Sequence, residues 1–138
     1  MQLSFKNQTK VRVRYGETDQ MGYCYYGNYA QYFEVGRVEA MRSLGMSYRD
    51  MESRGVMLPV SNFNVNYFVP AKYDDELIIT TAITQIKGAR LFFDYTIHNE
   101  MGELVSEAHT TLVFVNMDTM KPIKAPVEFV ELLKPYEV

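Results

Sequence analysis

Tryptophan is absent from this chain of 138 residues, and cysteine occurs once, at Cys24. A lone thiol excludes an internal disulfide and any metal cluster built on cysteines. Histidine is nearly as scarce. His98 and His109 are the only two, and their spacing forms no helical or turn pair of zinc ligands. A Ser/His/Asp or Cys/His site would need one of them to fold back beside a distant nucleophile. The eight glycines are scattered, with no phosphate-cradling loop or dinucleotide motif among them. Long basic runs are missing and the net charge is −3, which argues against nucleic acid as the main partner. No apolar run approaches the length of a membrane span, and no basic-then-apolar export signal opens the sequence. The expected compartment is the cytoplasm.

What is present suits one domain over residues 1–138, since 47% of the residues are hydrophobic and 22% charged. A chain of this size buries a core without staples. Eleven tyrosines and eight phenylalanines suggest partly polar packed surfaces, such as a pocket or a subunit contact.

Val11, Val13 and Tyr15 alternate with Lys10, Arg12 and Arg14, which predicts a strand over Thr9–Tyr15. A loop, Gly16–Gly27, follows. Tyr29, Phe33, Gly36, Ala40 and Leu44 recur at spacings of three and four, predicting a helix from Asn28 to Leu44 with Asn28 as cap and Gly45 as stop. A short helix is expected over Ser47–Ser53. Strands are then expected at Met57–Val69, Glu76–Lys87, Arg90–Asn99 and Glu103–Met117, with turn signals at Gly88 and at Asn99 to Gly102. A last helix covers Val127–Leu133. Neighbouring strands joined by tight turns favour an antiparallel sheet, and the long helix has to bury its stripe against it. The fold class is therefore α+β: a long central helix wrapped by a curved antiparallel sheet of about five strands.

Chemistry concentrates in Tyr15–Glu34. Asp19 lies in the loop between the first strand and the long helix, while Tyr26, Gly27 and Asn28 lie where that helix begins. Free N–H groups in a first helical turn favour developing negative charge. A carboxylate beside them can serve as base or nucleophile while they hold an oxyanion, which is what acyl transfer from a thioester needs. Gly27 would let the backbone approach a ligand closely. The bland alternative for Asp19 is a cap or a turn former.

The residues Tyr15, Glu17, Thr18, Asp19, Gly22, Cys24, Tyr25, Asn28, Tyr29 and Glu34 resemble the signature of the 4-hydroxybenzoyl-CoA thioesterase-like family of hotdog proteins. The likeness continues in Pro59-Val60, in Tyr67 through Pro70 and in Tyr73-Asp74-Asp75. It implies a hotdog fold and hydrolysis of an acyl-CoA thioester, with no cofactor and no metal. It also implies a catalytic Asp19 and a carbonyl-polarising backbone N–H at Tyr26. Many acyl-CoA members have histidine at the position of Tyr26, so the exchange bears on substrate preference. Tyr25, Gly27, Asn28, Glu34 and Asn62 are the expected substrate contacts, with Lys87 and Arg90 for the CoA phosphates and Arg54 and Lys72 as comparable cations. Glu34 reads equally well as a solvated helix residue. Family members pair sheets edge to edge, so a homodimer or homotetramer is expected. Acyl carrier protein thioesters are an alternative substrate, and a non-catalytic acyl-CoA binder an alternative function.

Overall fold

The computed structural model describes residues 1–138. Strand β1 covers Gln2–Arg12, so it begins and ends earlier than the sequence suggests. Leu3 and Phe5 are buried on its inner face. The polar Asn7 and Thr9 continue that face, which conceals the period-two pattern from a search for apolar alternation. Tyr15, assigned above to the strand, is exposed and opens a one-turn 3₁₀ helix, Tyr15–Glu17.

A second 3₁₀ turn, Tyr26–Asn28, leads into α1, Tyr29–Leu44. Asn28 does not cap α1 with its side chain, which instead donates to the Glu17 carbonyl at 2.8 Å. Gly45 ends the helix in the left-handed region, at φ +108°, where a side chain would be strained. Helix α2 spans Tyr48–Ser53 and is capped by Ser47, whose hydroxyl accepts from the Asp50 N–H.

The stretch expected as one strand from Met57 to Val69 is two. Strand β2 is Val56–Met57 and β3 is Val60–Tyr67, with Pro59 between them. Proline has no N–H to give a ladder, so the chain changes sheets there. Strands β4, Glu76–Lys87, and β5, Arg90–His98, form the hairpin anticipated around Gly88. After β6, Leu104–Val113, the short β7, Val115–Asn116, pairs with β2 in a separate ribbon. Helix α3, Val127–Leu133, closes the regular structure.

The main sheet is antiparallel with the order β1-β4-β5-β6-β3, and α1 lies across its inner face. Phe33, Ala40 and Met41 of α1 meet Ile79, Ile83, Phe93, Ile97 and Leu112 in a continuous core. Gly36 permits the closest approach. A Cβ there would lie 2.5 Å from Thr81 Oγ1 and 2.8 Å from Ile79 Cγ2. One outer strand, β3, has no partner on its far side and leaves Val60, Phe63 and Tyr67 more than 40% exposed. No helix is long and apolar enough to cross a membrane.

Candidate active site

The loop after β1 is tied down by Glu17. Its carboxylate accepts from the Arg14 N–H at 2.9 Å, from the Arg14 guanidinium at 2.8 and 3.1 Å, and from the Tyr32 hydroxyl at 2.8 Å. Its carbonyl accepts from the Tyr25 N–H and from the Asn28 amide, each at 2.8 Å. Burial pushes this carboxyl up, but the bonds from Arg14 and Tyr32 outweigh burial and hold it below its ordinary value. Glu17 thereby fastens the loop to the start of α1.

That anchoring presents Asp19. Its N–H donates to the Tyr23 carbonyl at 2.8 Å, and its Oδ1 accepts from the Met21 and Tyr23 N–H groups at 2.9 and 3.2 Å. Gly22, at φ +78°, closes this turn. Asp19 is therefore a turn former, as the bland alternative held, yet only one of its oxygens is used. Oδ2 accepts nothing from the chain and remains available for chemistry.

Asp19 lines a cleft of about 350 Å³ with Met21, Tyr23, Cys24, Tyr26, Tyr29, Tyr67, Phe68, Val69 and Pro70. Tyr26 opens the 3₁₀ turn before α1, and neither its N–H nor that of Gly27 donates within the chain. The Tyr26 carbonyl is held by the Tyr29 N–H and by the Tyr67 hydroxyl at 3.3 Å. The Tyr26 and Tyr29 rings both pack edge-on against Tyr67. Burial pushes Tyr29 up to about 12, so its phenol is neutral at ordinary pH. Burial likewise pushes the Cys24 thiol up, and its sulfur lies 3.3 Å from the Tyr32 hydroxyl. A buried thiol of raised pKa is a poor nucleophile.

Of the other anticipated residues, Tyr25 packs against Tyr26 with ring centroids 4.8 Å apart. The space that Gly27 leaves is taken by Tyr25, since a Cβ would fall 2.6 Å from its ring. Gly27 thus admits a neighbouring ring. Glu34 lines a different cavity, farther along α1. Asn62 is exposed on β3. Lys87 and Arg90 face each other at the turn of the β4–β5 hairpin. The Asp19 loop docks near the opposite end of β4, where Cys24 N–H donates to Ala71 at 2.7 Å and Tyr23 bridges Lys72. Twelve strand residues separate the two ends, about 35 Å, so within one chain Lys87 and Arg90 do not reach the cleft. Lys72 stands at its edge, and Arg54 pairs with Glu128 at 3.7 Å. Both histidines fall in or at the strands, as anticipated, and His109 meets Asp94 at 2.6 Å.

Sequence reasoning missed Tyr67, Phe68 and Met21 as cleft residues and Arg37 as a buried cation. For Arg37 a signal existed. It lies four residues after Phe33 and three before Ala40, in phase with the buried stripe.

A long helix lying across a five-stranded antiparallel sheet is the arrangement of the hotdog-fold thioesterases. Residues 13–133 match the thioesterase-like superfamily, to which the chain belongs. YneP of Bacillus subtilis is 36% identical over 131 residues, covering 95% of either chain. The acyl-CoA thioester hydrolase YbgC of Escherichia coli is 35% identical over 124 residues, covering 90% of this chain and 92% of that one. Among solved structures, the DHNA-CoA thioesterase of Staphylococcus aureus superposes with a TM-score of 0.88 at 38% identity, over 92% of this chain and 87% of its own.

Proposed function

We propose that this chain hydrolyses acyl-CoA thioesters in the Asp19 cleft, with Asp19 as the catalytic carboxylate and the Tyr26 N–H as the oxyanion donor. The observation that supports this reading is that Asp19, whose Oδ2 is unpartnered, and Tyr26, whose N–H is unused, line one cleft. A thioester carbonyl polarised by that N–H develops negative charge on oxygen as it is attacked, and a fixed donor stabilises the charge more than water does.

Two routes use these groups. In one, Asp19 Oδ2 attacks the carbonyl carbon, the C–S bond breaks, CoA leaves as the thiolate, and water hydrolyses the resulting mixed anhydride. In the other, Asp19 takes a proton from a water that attacks the same carbon. Label in the Asp19 side chain after single turnover in ¹⁸O-labelled water identifies the first route, with water attacking the anhydride at Asp19 Cγ. Attack at the acyl carbon in either route places the label in the released acid, so trapping the anhydride with hydroxylamine completes the test. The reading as a whole is tested by thiol release over short, medium, long and aromatic acyl-CoAs, beside Asp19→Asn. No release from any of them, or wild-type turnover in the variant, would sink it. Acyl carrier protein thioesters present the same pantetheine arm and belong in the same assay.

The oligomer belongs to this reading too. We infer a homodimer or homotetramer that uses β3, because that strand exposes Val60, Phe63 and Tyr67 beside an unpaired edge. A second copy would supply Asn62 to the wall of the cleft and Lys87 and Arg90 to the CoA phosphates, beside Lys72 of the first. Light scattering at micromolar concentration checks this, and a monomer would overturn it.

A further inference from the structure

Arg37 projects from α1 toward the sheet and is only 8% exposed. Its Nε donates to the Tyr48 hydroxyl at 2.8 Å and its Nη1 to the Tyr95 hydroxyl at 3.3 Å. Tyr95 in turn shares a 2.7 Å bond with the Thr110 hydroxyl. Burial pushes Tyr48 up to about 12 and raises Tyr95 as well, so both phenols stay neutral and neither is a counter-ion.

No carboxylate pairs with this guanidinium. Its Nη2 donates to no group of the chain and is not sealed from solvent. Buried cations are costly unless an anion accompanies them, and the unused N–H groups of Nη2 can donate to a carboxylate. Arg37 also lines a cavity of about 290 Å³ between α1 and β3, with Gln31, Glu34, Val60, Phe63 and Thr110. Glu34 is exposed, where water and salt screen its charge, and Arg37 is not.

Both this cavity and the Asp19 cleft are bounded by α1 on one side and β3 on the other. The cleft includes Tyr29 and Tyr67, and the cavity includes Arg37 and Phe63. Four residues of β3 separate Tyr67 from Phe63, about 13 Å, and eight residues of α1 separate Tyr29 from Arg37, about 12 Å. The cleft and the cavity share no lining residue, and between them the Tyr29–Tyr67 and Phe33–Phe63 ring pairs join α1 to β3. An acyl group would therefore have to lie over these rings to bring its far end from the cleft to Arg37. We propose that Arg37 determines specificity by binding a carboxylate at the distal end of the acyl group, so that the preferred substrates are ω-carboxyacyl thioesters. This rests on the thioesterase reading for the substrate, but its evidence is the unpaired buried cation.

The test compares adipoyl-, suberoyl- and sebacoyl-CoA with hexanoyl-, octanoyl- and decanoyl-CoA in wild type, Arg37→Met and Arg37→Lys. At one chain length or more, kcat/KM should favour the carboxylate-ended substrate by about tenfold or more. That ratio should collapse in Arg37→Met and be partly kept in Arg37→Lys, which also carries the test should the methionine variant fail to fold. Thermal stabilisation by sebacoyl-CoA against decanoyl-CoA gives a second readout that needs no turnover. If no thioester is hydrolysed, the thioesterase reading fails while this comparison still decides the role of Arg37. A ratio at or below one at every length overturns the proposal, as does a ratio unchanged in Arg37→Met. Equal stabilisation by the two ligands, or a smaller oligomer in Arg37→Met, also overturns it.

Discussion

Just before α1, beside the Asp19 loop, the Tyr25 and Tyr26 rings are exposed, whereas at Gly36 the helix lies so close to β4 that no Cβ fits. At the first place, polar groups are left unpaired and a cleft stays open. At the second, backbone meets side chain in a packed core. The contrast separates a region available for chemistry from one committed to holding the helix in place, and substitutions at each should have opposite signatures.

Asp19→Asn is expected to lower turnover roughly 10²–10⁴-fold while leaving the melting temperature unchanged, because the amide oxygen can still accept from Met21 and Tyr23. Thiol release and a thermal melt on one preparation check both halves. Gly36→Val should do the reverse, costing about 1–3 kcal/mol of stability through overpacking against Thr81 and Ile79. Denaturant unfolding measures it, and a neutral result would show that α1 can move off β4.

Glu17→Gln tests the joint between the two regions. The Glu17 carboxyl is held below its ordinary value, so its contribution is present above the unfolded carboxyl range and is lost as pH falls through the folded value. The variant should be less stable by about 1 kcal/mol near neutrality, and the gap to wild type should close on acidification. Melting curves across pH report it. Tyr67→Phe has the smallest expected effect. It removes a 3.3 Å bond to the Tyr26 carbonyl but keeps the ring contacts, so kcat/KM should change about two- to threefold.

Strands β4 and β5, helix α1 and its stop at Gly45 were legible because each follows from local periodicity and a turn residue. Strand β1 was misplaced because Asn7 and Thr9 interrupt its apolar face, and β2 and β3 were merged because Pro59 was not read as a break. In the site, the motif around Asp19 and Tyr26 pointed to groups that do share a cleft. It could not show that Glu17 anchors the loop through Arg14 and Tyr32, since hydrogen-bond partners depend on how the loop docks.

By itself the sequence determined the alternation of strands, the apolar stripe of α1 and the placing of an acidic loop before a helix start, because those are properties of neighbouring residues. Only the tertiary structure decided that Tyr67 closes over Tyr26, that Arg37 is buried without an anion, and that Lys87 and Arg90 stand at the far end of β4 from Asp19. Proximity across a sheet is set by pairing register and by how the helix lies on it, and these depend on contacts between residues far apart in the chain.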